Sequence, residues 1–329
     1  MTSSSATGIE ALRQRPRASL GYLPTPLEPL KNITQVIPGA SAEVLVKRDD
    51  LTGFSFAGNK LRLLEFLIGD ALDRGTEVMV GCGPTTSNFI ASLSQASRAS
   101  GMDCEIYIPA PLIDYPSVLL ARATGAKVTE VPVTRFEIDG YVAERAREIE
   151  AGGRKATALP RGGCTAIGAV GYALGAAEIT AQLGDRTHVT HVLPAGSCAS
   201  ASGILAGLAL LDSPHKVIAV STNRPIDEAH EVITSISNGV VALAGRPDLD
   251  PLTRLALLDR AEGSTEEDLA NARRGLAFAG IATPDHYGPP TVSTLVRTAQ
   301  EQDGGTVVWW HTGGALGVDR LLGDLAETA

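Results

Sequence analysis

The chain has 329 residues, 28 lysines and arginines against 37 aspartates and glutamates for a formal net charge of −9, 44% hydrophobic residues and 4% aromatic ones. That length bounds it to about two domains with a sizeable core, and its ordinary hydrophobic content excludes a disordered, collagen-like or coiled-coil chain. The acidic balance argues against nucleic acid or an anionic membrane as partner, while 35 glycines and 19 prolines promise many tight turns.

No stretch approaches the roughly 18–20 unbroken apolar residues of a membrane helix; the longest candidate, Gly203 to Leu211, falls well short. The opening Met1-Thr-Ser-Ser-Ser-Ala-Thr-Gly8 has no charged region followed by an apolar core. With Arg13, Arg15 and Arg17 it reads as a loose leader rather than a targeting peptide, which points to the cytoplasm. Cys82, Cys104, Cys164 and Cys198 form no C-x-x-C pair and read as buried thiols of a reducing compartment.

From residue 60 onward helices and strands alternate. Leu64, Leu67, Ile68, Ala71 and Leu72 recur at helical spacing over Lys60 to Arg74, with Gly75 as C-cap. A strand follows over Glu77 to Cys82, then a helix over Ser87 to Ser100, a strand over Cys104 to Pro109, and a helix over Ser117 to Thr124. Lys127 to Pro132 reads as a strand and Ile138 to Ala151 as a helix. The second half repeats the theme, with strands over Val189 to Leu193, Lys216 to Ser221 and Thr306 to His311, and a helix over Ala201 to Leu211. Pro225 to Ala279 reads as mostly helical. This pitch implies right-handed βαβ crossovers and an α/β protein of two lobes, each a mainly parallel sheet flanked by helices. Ligands of such sheets bind beyond the carboxyl ends of the strands. His188 and His191 lie in a predicted strand, where a spacing of three sends them to opposite faces, so no metal site is expected.

Four segments fall at strand ends. In Ala57-Gly-Asn-Lys60 a lysine opens a helix after a small, flexible turn; the positive end of a helix dipole disfavours its charge, lowers its pKa and makes it nucleophilic. Gly81-Cys-Gly-Pro-Thr-Thr-Ser-Asn88 offers hydroxyls and free backbone N–H groups at a helix start, suited to a carboxylate or phosphate, or to simple N-capping by Thr86 or Ser87. Pro194-Ala-Gly-Ser-Cys-Ala-Ser200 has the small residues of an anion cup, without the pattern of a nucleoside-triphosphate loop. Trp309-Trp-His-Thr-Gly-Gly314 is a strand running into a glycine turn. A lysine at a helix start and a separate phosphate cup in a two-lobed α/β fold form a pyridoxal-phosphate pattern.

Lys47-Arg-Asp-Asp-Leu-Thr-Gly53, Gly58-Asn-Lys-Leu-Arg62, Leu159-Pro-Arg-Gly-Gly163, Ala195-Gly-Ser197 and His311-Thr-Gly-Gly314 resemble, in order, segments of the D-cysteine desulfhydrase and 1-aminocyclopropane-1-carboxylate (ACC) deaminase family. The resemblance runs from about Leu23 to Leu322 and implies the tryptophan-synthase-β-like fold type II of pyridoxal-phosphate enzymes. It implies a large cofactor-binding domain of residues 1–56 and 167–329 and a small one of 57–166. Lys60 would hold the cofactor as a Schiff base and shuttle the Cα proton. Asn59 would lie against it, Gly196, Ser197, Cys198, Ala199 and Ser200 would wrap its phosphate, and Thr312 would approach its ring. Thr86, Ser87 and Asn88 would bind the substrate, with Ser87 and Tyr287 in proton transfer; a core tyrosine is the other reading of Tyr287. The implied partner is a small amino acid, in a homodimer.

Departures from the family pattern are Thr86 and Phe89 around the Ser-Asn pair, Gly-Ser-Cys-Ala-Ser in the cup, Leu63, Gly288, and no aromatic residue between Arg260 and Asp268. The expected activity is a lyase that removes the Cα proton and eliminates the β-substituent, as in cysteine C–S cleavage, or deaminates ACC. A β-replacement synthase and a non-catalytic binding protein on the same scaffold are the alternatives.

Overall fold

Short β-branched runs alternating with helices build two sheets, as the sequence pitch implies. The computed structural model describes residues 3–260, 264–284 and 286–317. In chain order, α1 (Ser3–Arg13), β1 (Leu27–Pro29), α2 (Ile33–Val36) and β2 (Glu43–Arg48) precede α3 (Lys60–Asp73), β3 (Val78–Cys82), α4 (Asn88–Ala99), β4 (Asp103–Pro109), α5 (Pro116–Ala123), β5 (Lys127–Val131), α6 (Ile138–Ala151) and β6 (Ala156–Ala158). There follow α7 (Ala166–Leu183), β7 (Val189–Pro194), α8 (Ala199–Leu210), β8 (Lys216–Ser221), α9 (Ile226–Leu243), β9 (Leu255–Asp259), α10 (Glu266–Arg274), α11 (Gly288–Glu301) and β10 (Thr306–His311). The smaller sheet has the order β5-β4-β3-β6 and is wholly parallel. The larger has the order β1-β2-β10-β7-β8-β9, parallel except for β1 on β2.

Strand alternation divides the larger sheet's faces. Trp309, Val46 and Val192 pack beside Leu295 and Ala299 of α11. Trp310 faces the other way, among Leu193, Tyr172 of α7 and Leu205 of α8. On this second face α7 and α8 are apolar nearly all round, as helices covered by neighbours must be. They lie close because glycines face backbone: a Cβ on Gly203 would sit 2.3 Å from the Ala169 carbonyl oxygen, and one on Gly171 only 1.8 Å from that of Arg62 in α3. The start of α3 is thereby pressed onto α7.

One expectation fails and one strand was not foreseen. The N-terminal segment is no loose leader: α1 folds, and Ile9 and Leu12 are buried beside Phe66, Val170 and Ala173. Pro225–Ala279 is mostly helical, but within it Leu255–Asp259 pairs in parallel with β8 as an edge strand. There tertiary pairing overrides local propensity, as it readily does for short edge strands.

Candidate active site

The carboxyl ends of β3, β4, β7, β8 and β10 feed loops into one cleft of about 600 Å³ between the two sheets, a size ordinary for a ligand site. Of the residues singled out in the sequence, Asn59, Lys60, Thr86, Ser87 and Asn88 line it. Gly196, Ser197, Ser200, Tyr287 and Thr312 line it from the larger sheet. Cys198 and Ala199 do not contribute side chains, because both are packed in the core. Among the turn glycines, Gly83, Gly162, Gly196, Gly313 and Gly314 line the cleft. Gly58 and Gly163 instead stand behind the wall against Thr312 and Phe89, and Gly81 lies within β3 against Leu93.

The lysine turn is clamped. Asn59 N donates to the Thr312 carbonyl at 3.0 Å, Thr52 Oγ1 to the Gly58 carbonyl at 2.9 Å, and Tyr172 Oη to the Asn59 carbonyl at 3.0 Å. A Cβ on Gly58 would lie 2.6 Å from the Thr312 carbonyl oxygen at φ +53, so glycine alone permits this approach. Two residues on, Arg62 donates to Asp49 at 2.7 and 2.8 Å and to Glu178 at 2.9 and 3.0 Å. Lys47 also donates to Glu178 and, at 2.7 Å each, to the Thr25 carbonyl and Gln182. Lys47, Asp49 and Arg62 are buried. Two cations answer two carboxylates, the condition under which such burial is tolerated. Burial opposes ionisation of Glu178, but Arg62 and Lys47 hold its pKa down at about 2.

Burial lowers the Lys60 pKa from 10.5 to about 8. Of its neighbours, Cys164 and Cys198 would favour the ammonium only as thiolates, and burial pushes these thiols up to about 12 and about 11. Both are therefore neutral where Lys60 titrates. Among the described residues no carboxylate forms a salt bridge with Lys60. The lowered pKa expected at this helix start is present, with desolvation as its cause.

Also on the cleft wall, Ser87 is the N-cap residue of the 12-residue α4, yet its side chain makes no capping bond. The hydroxyl, Asn88 and the helix start are left to face the cleft. A Cβ on Gly196 would come 2.9 Å from Tyr287 Cε1 and 3.2 Å from Asn223 Nδ2, and one on Gly162 2.5 Å from Ser197 Cβ. Glycine keeps this cup open in front of α8, whose first turn supplies free N–H groups beside Ser197 and Ser200. A cup for phosphate, a free amine and a gap bounded by Tyr287 and Thr312 fit pyridoxal phosphate. Tyr287 belongs to the cleft wall and not to the core.

Sequence reasoning overlooked Arg135, Arg161, Asn223, Arg224 and His286, all on the cleft wall. Arg161 bonds Asp139 at 3.0 Å, Arg224 pairs with Glu228, and His286 bonds Asn223 Oδ1 and meets Tyr287 edge-on at 5.0 Å. Only the Leu159-Pro-Arg161 segment carried a signal, since it was quoted without a role for the arginine. Of the stretch from Arg260 to Asp268 that departs from the family pattern, residues 261–263 lie outside the described residues, as does the end of the resemblance beyond residue 317.

Comparison with known proteins agrees with this geometry. Residues 18–313 match the family model described as pyridoxal-phosphate dependent enzyme. A D-cysteine desulfhydrase of Yersinia pestis (strain Pestoides F) is 29% identical, over 93% of this chain and 96% of that one. A crystal structure of an ACC deaminase homologue is 28% identical with a TM-score of 0.87, covering 98% of this chain and 99% of that one. O-ureido-L-serine synthase, at 19% identity, 93% and 92% coverage and a TM-score of 0.66, shares the fold alone. The chain therefore belongs to the pyridoxal-phosphate-dependent enzyme family, in the branch of the D-cysteine desulfhydrases and ACC deaminases.

Proposed function

We propose that this enzyme is a lyase that takes the Cα proton from a small amino acid and expels the substituent on Cβ, releasing pyruvate and ammonia as in D-cysteine desulfhydration. The desolvated Lys60 amine, with a pKa of about 8 and lining one cleft with Ser87 and Asn88, carries the reading. The bound cofactor supplies an electron sink for the charge that develops at Cα. Lys60 would hold it, Ser197, Ser200 and the start of α8 would take its phosphate, and Asn59 and Thr312 would flank it. Cys198 and Ala199 would contribute backbone alone.

Thr86, Ser87, Asn88 and the start of α4 bind the substrate carboxylate. That grip sets the Cα–H bond toward Lys60, whose neutral amine accepts the proton. The Ser87 hydroxyl and Tyr287, both on the cleft wall, would relay a proton to the departing group. Residues 57–166 serve as the smaller lobe and 1–56 with 167–329 as the larger, so relative movement of the lobes would exclude water from the cleft. A cytoplasmic homodimer is the assembly this reading carries, which sedimentation and fractionation would test.

Purified protein should show the visible absorbance of the bound cofactor and release pyruvate from D-cysteine or β-chloro-D-alanine. Lys60→Ala should lose both properties. Turnover only after a second nucleophile is added would make the enzyme a synthase instead, and a protein that takes up no cofactor would overturn the reading outright.

A further inference from the structure

A phosphate monoester carries about −1.5 to −2 charges near neutral pH, and the cup in front of α8 does not balance that alone. A helix start contributes the equivalent of about half a positive charge, and the hydroxyls of Ser197 and Ser200 contribute none. Lys60 would be engaged at the cofactor's aldehyde end. Among the described residues the cleft wall carries three arginines, Arg135, Arg161 and Arg224, and no aspartate or glutamate. Arg135 is exposed, and Asp139 binds both the backbone N–H and Nε of Arg161. Arg224 is only 8% exposed.

The chain sets Arg224 beside the cup. β7 and β8 are parallel neighbours with Pro194 opposite Val220, and Ala195 N donates to the Val220 carbonyl at 2.7 Å. The segments leaving the two strands, 195–198 and 222–225, therefore set out side by side. Ser221 Oγ donates to the Arg224 carbonyl at 2.8 Å and closes the second segment into a turn. Next to Arg224, Asn223 Nδ2 would lie 3.2 Å from a Cβ on Gly196 of the cup. Burial raises the pKa of Cys198, the residue before α8, and of Cys164, and the Arg224 charge draws both back down. The guanidinium thus acts on the start of α8.

One side chain holds that guanidinium: Nη1 donates to Glu228 in the first turn of α9. The donors on Nε and Nη2 find no acceptor among the described residues. A charged group buried with donors unmet is costly unless a ligand completes it, and a planar fork of N–H groups matches phosphate oxygens. We propose that Arg224 binds the cofactor phosphate through these donors and balances its second negative charge, while Glu228 fixes the guanidinium beforehand. This rests on the phosphate lying in the cup before α8 and holds whichever reaction the enzyme catalyses.

Pyridoxal and pyridoxal phosphate differ only in the phosphate, so the ratio of their affinities for the cofactor-free chain, read from absorbance titrations, isolates this contact. Arg224→Gln should weaken pyridoxal phosphate about tenfold to a hundredfold and pyridoxal by less than about twofold. Arg224→Lys, which keeps the charge without the fork, should give an intermediate ratio. Equal weakening of both ligands would overturn the proposal by giving the arginine a merely structural part, and an unchanged ratio would overturn it too. Should Arg224→Gln not fold, the phosphorus resonance of the wild-type holoenzyme decides. A phosphate held by the guanidinium stays dianionic well below its ordinary second pKa of about 6, and a resonance that titrates there sinks the proposal. Absence of turnover would refute the lyase reading and leave both measurements to decide this one.

Discussion

The amine of Lys60 is most useful when neutral, and burial brings its pKa down to about 8. In the cofactor-free protein the neutral fraction rises with pH, about tenfold per unit below that value, and levels off above it. Uptake of pyridoxal phosphate, followed by its absorbance after rapid mixing, should therefore accelerate up to about pH 8 and then plateau. An exposed lysine would keep accelerating toward its ordinary 10.5, and that behaviour would refute the desolvation argument. Lys60 was legible because a lysine after Ala-Gly-Asn at a helix start is a local pattern. Arg135 was not, because its place over the cleft comes from a contact with Asn223, 88 residues away in sequence. Cys198 was legible only in part: sequence identifies a residue of the cup but not which way its side chain turns.

At the scale of elements, the position of the lysine turn depends on how closely α3 and α7 approach. Gly171→Ala would put a methyl group 1.8 Å from the Arg62 carbonyl oxygen, a clash that only backbone movement can relieve. Overpacking of this kind costs about 3 kcal/mol at the upper end of its usual range. It would also shift Lys60, two residues before Arg62, so activity should fall with stability. Gly140→Ala in α6 is the matched control, with no atom within 4 Å of its new Cβ, and should be neutral or gain about 0.5–1 kcal/mol. Denaturant midpoints and turnover measure both variants; similar behaviour would refute the close-packing argument. The smaller sheet was readable in sequence because its strands are short apolar runs and glycines such as Gly75, at φ +70, end its helices. α7 has no polar face to give a helical period, and nothing in the sequence predicted it. β9 was lost among helix-favouring residues because its pairing with β8 is a tertiary fact.

Across the whole molecule, neutral histidines join elements that the chain keeps far apart. Trp310 Nε1 in β10 donates to His191 Nδ1 in β7 at 3.2 Å. His191 must then carry its proton on Nε2 and donate to His215 Nδ1 at 3.2 Å, leaving His215 Nε2 to donate to the Arg186 carbonyl at 3.0 Å. Tryptophan can only donate, so this direction is forced and each histidine remains neutral. Burial pushes His191 down to about 3 and also lowers His215 and His311. In the unfolded chain these groups titrate near 6.5. Between about pH 6.5 and pH 3 the unfolded state binds a proton that folded His191 refuses, so stability is complete above that window and falls as the solution is acidified. His191 alone contributes a slope of up to about 1.4 kcal/mol per pH unit. Glu178, held at about 2, adds its own loss only below about 4.5, where the unfolded carboxylate takes up its proton. Acidification from pH 6.5 to 5 therefore isolates the histidines from this carboxylate. Denaturant midpoints should drop through that interval with an unchanged slope against denaturant, and less steeply in His191→Gln. A wild-type midpoint that stays level from pH 6.5 to 5 would show that the relay tolerates protonation, whether or not the variant folds.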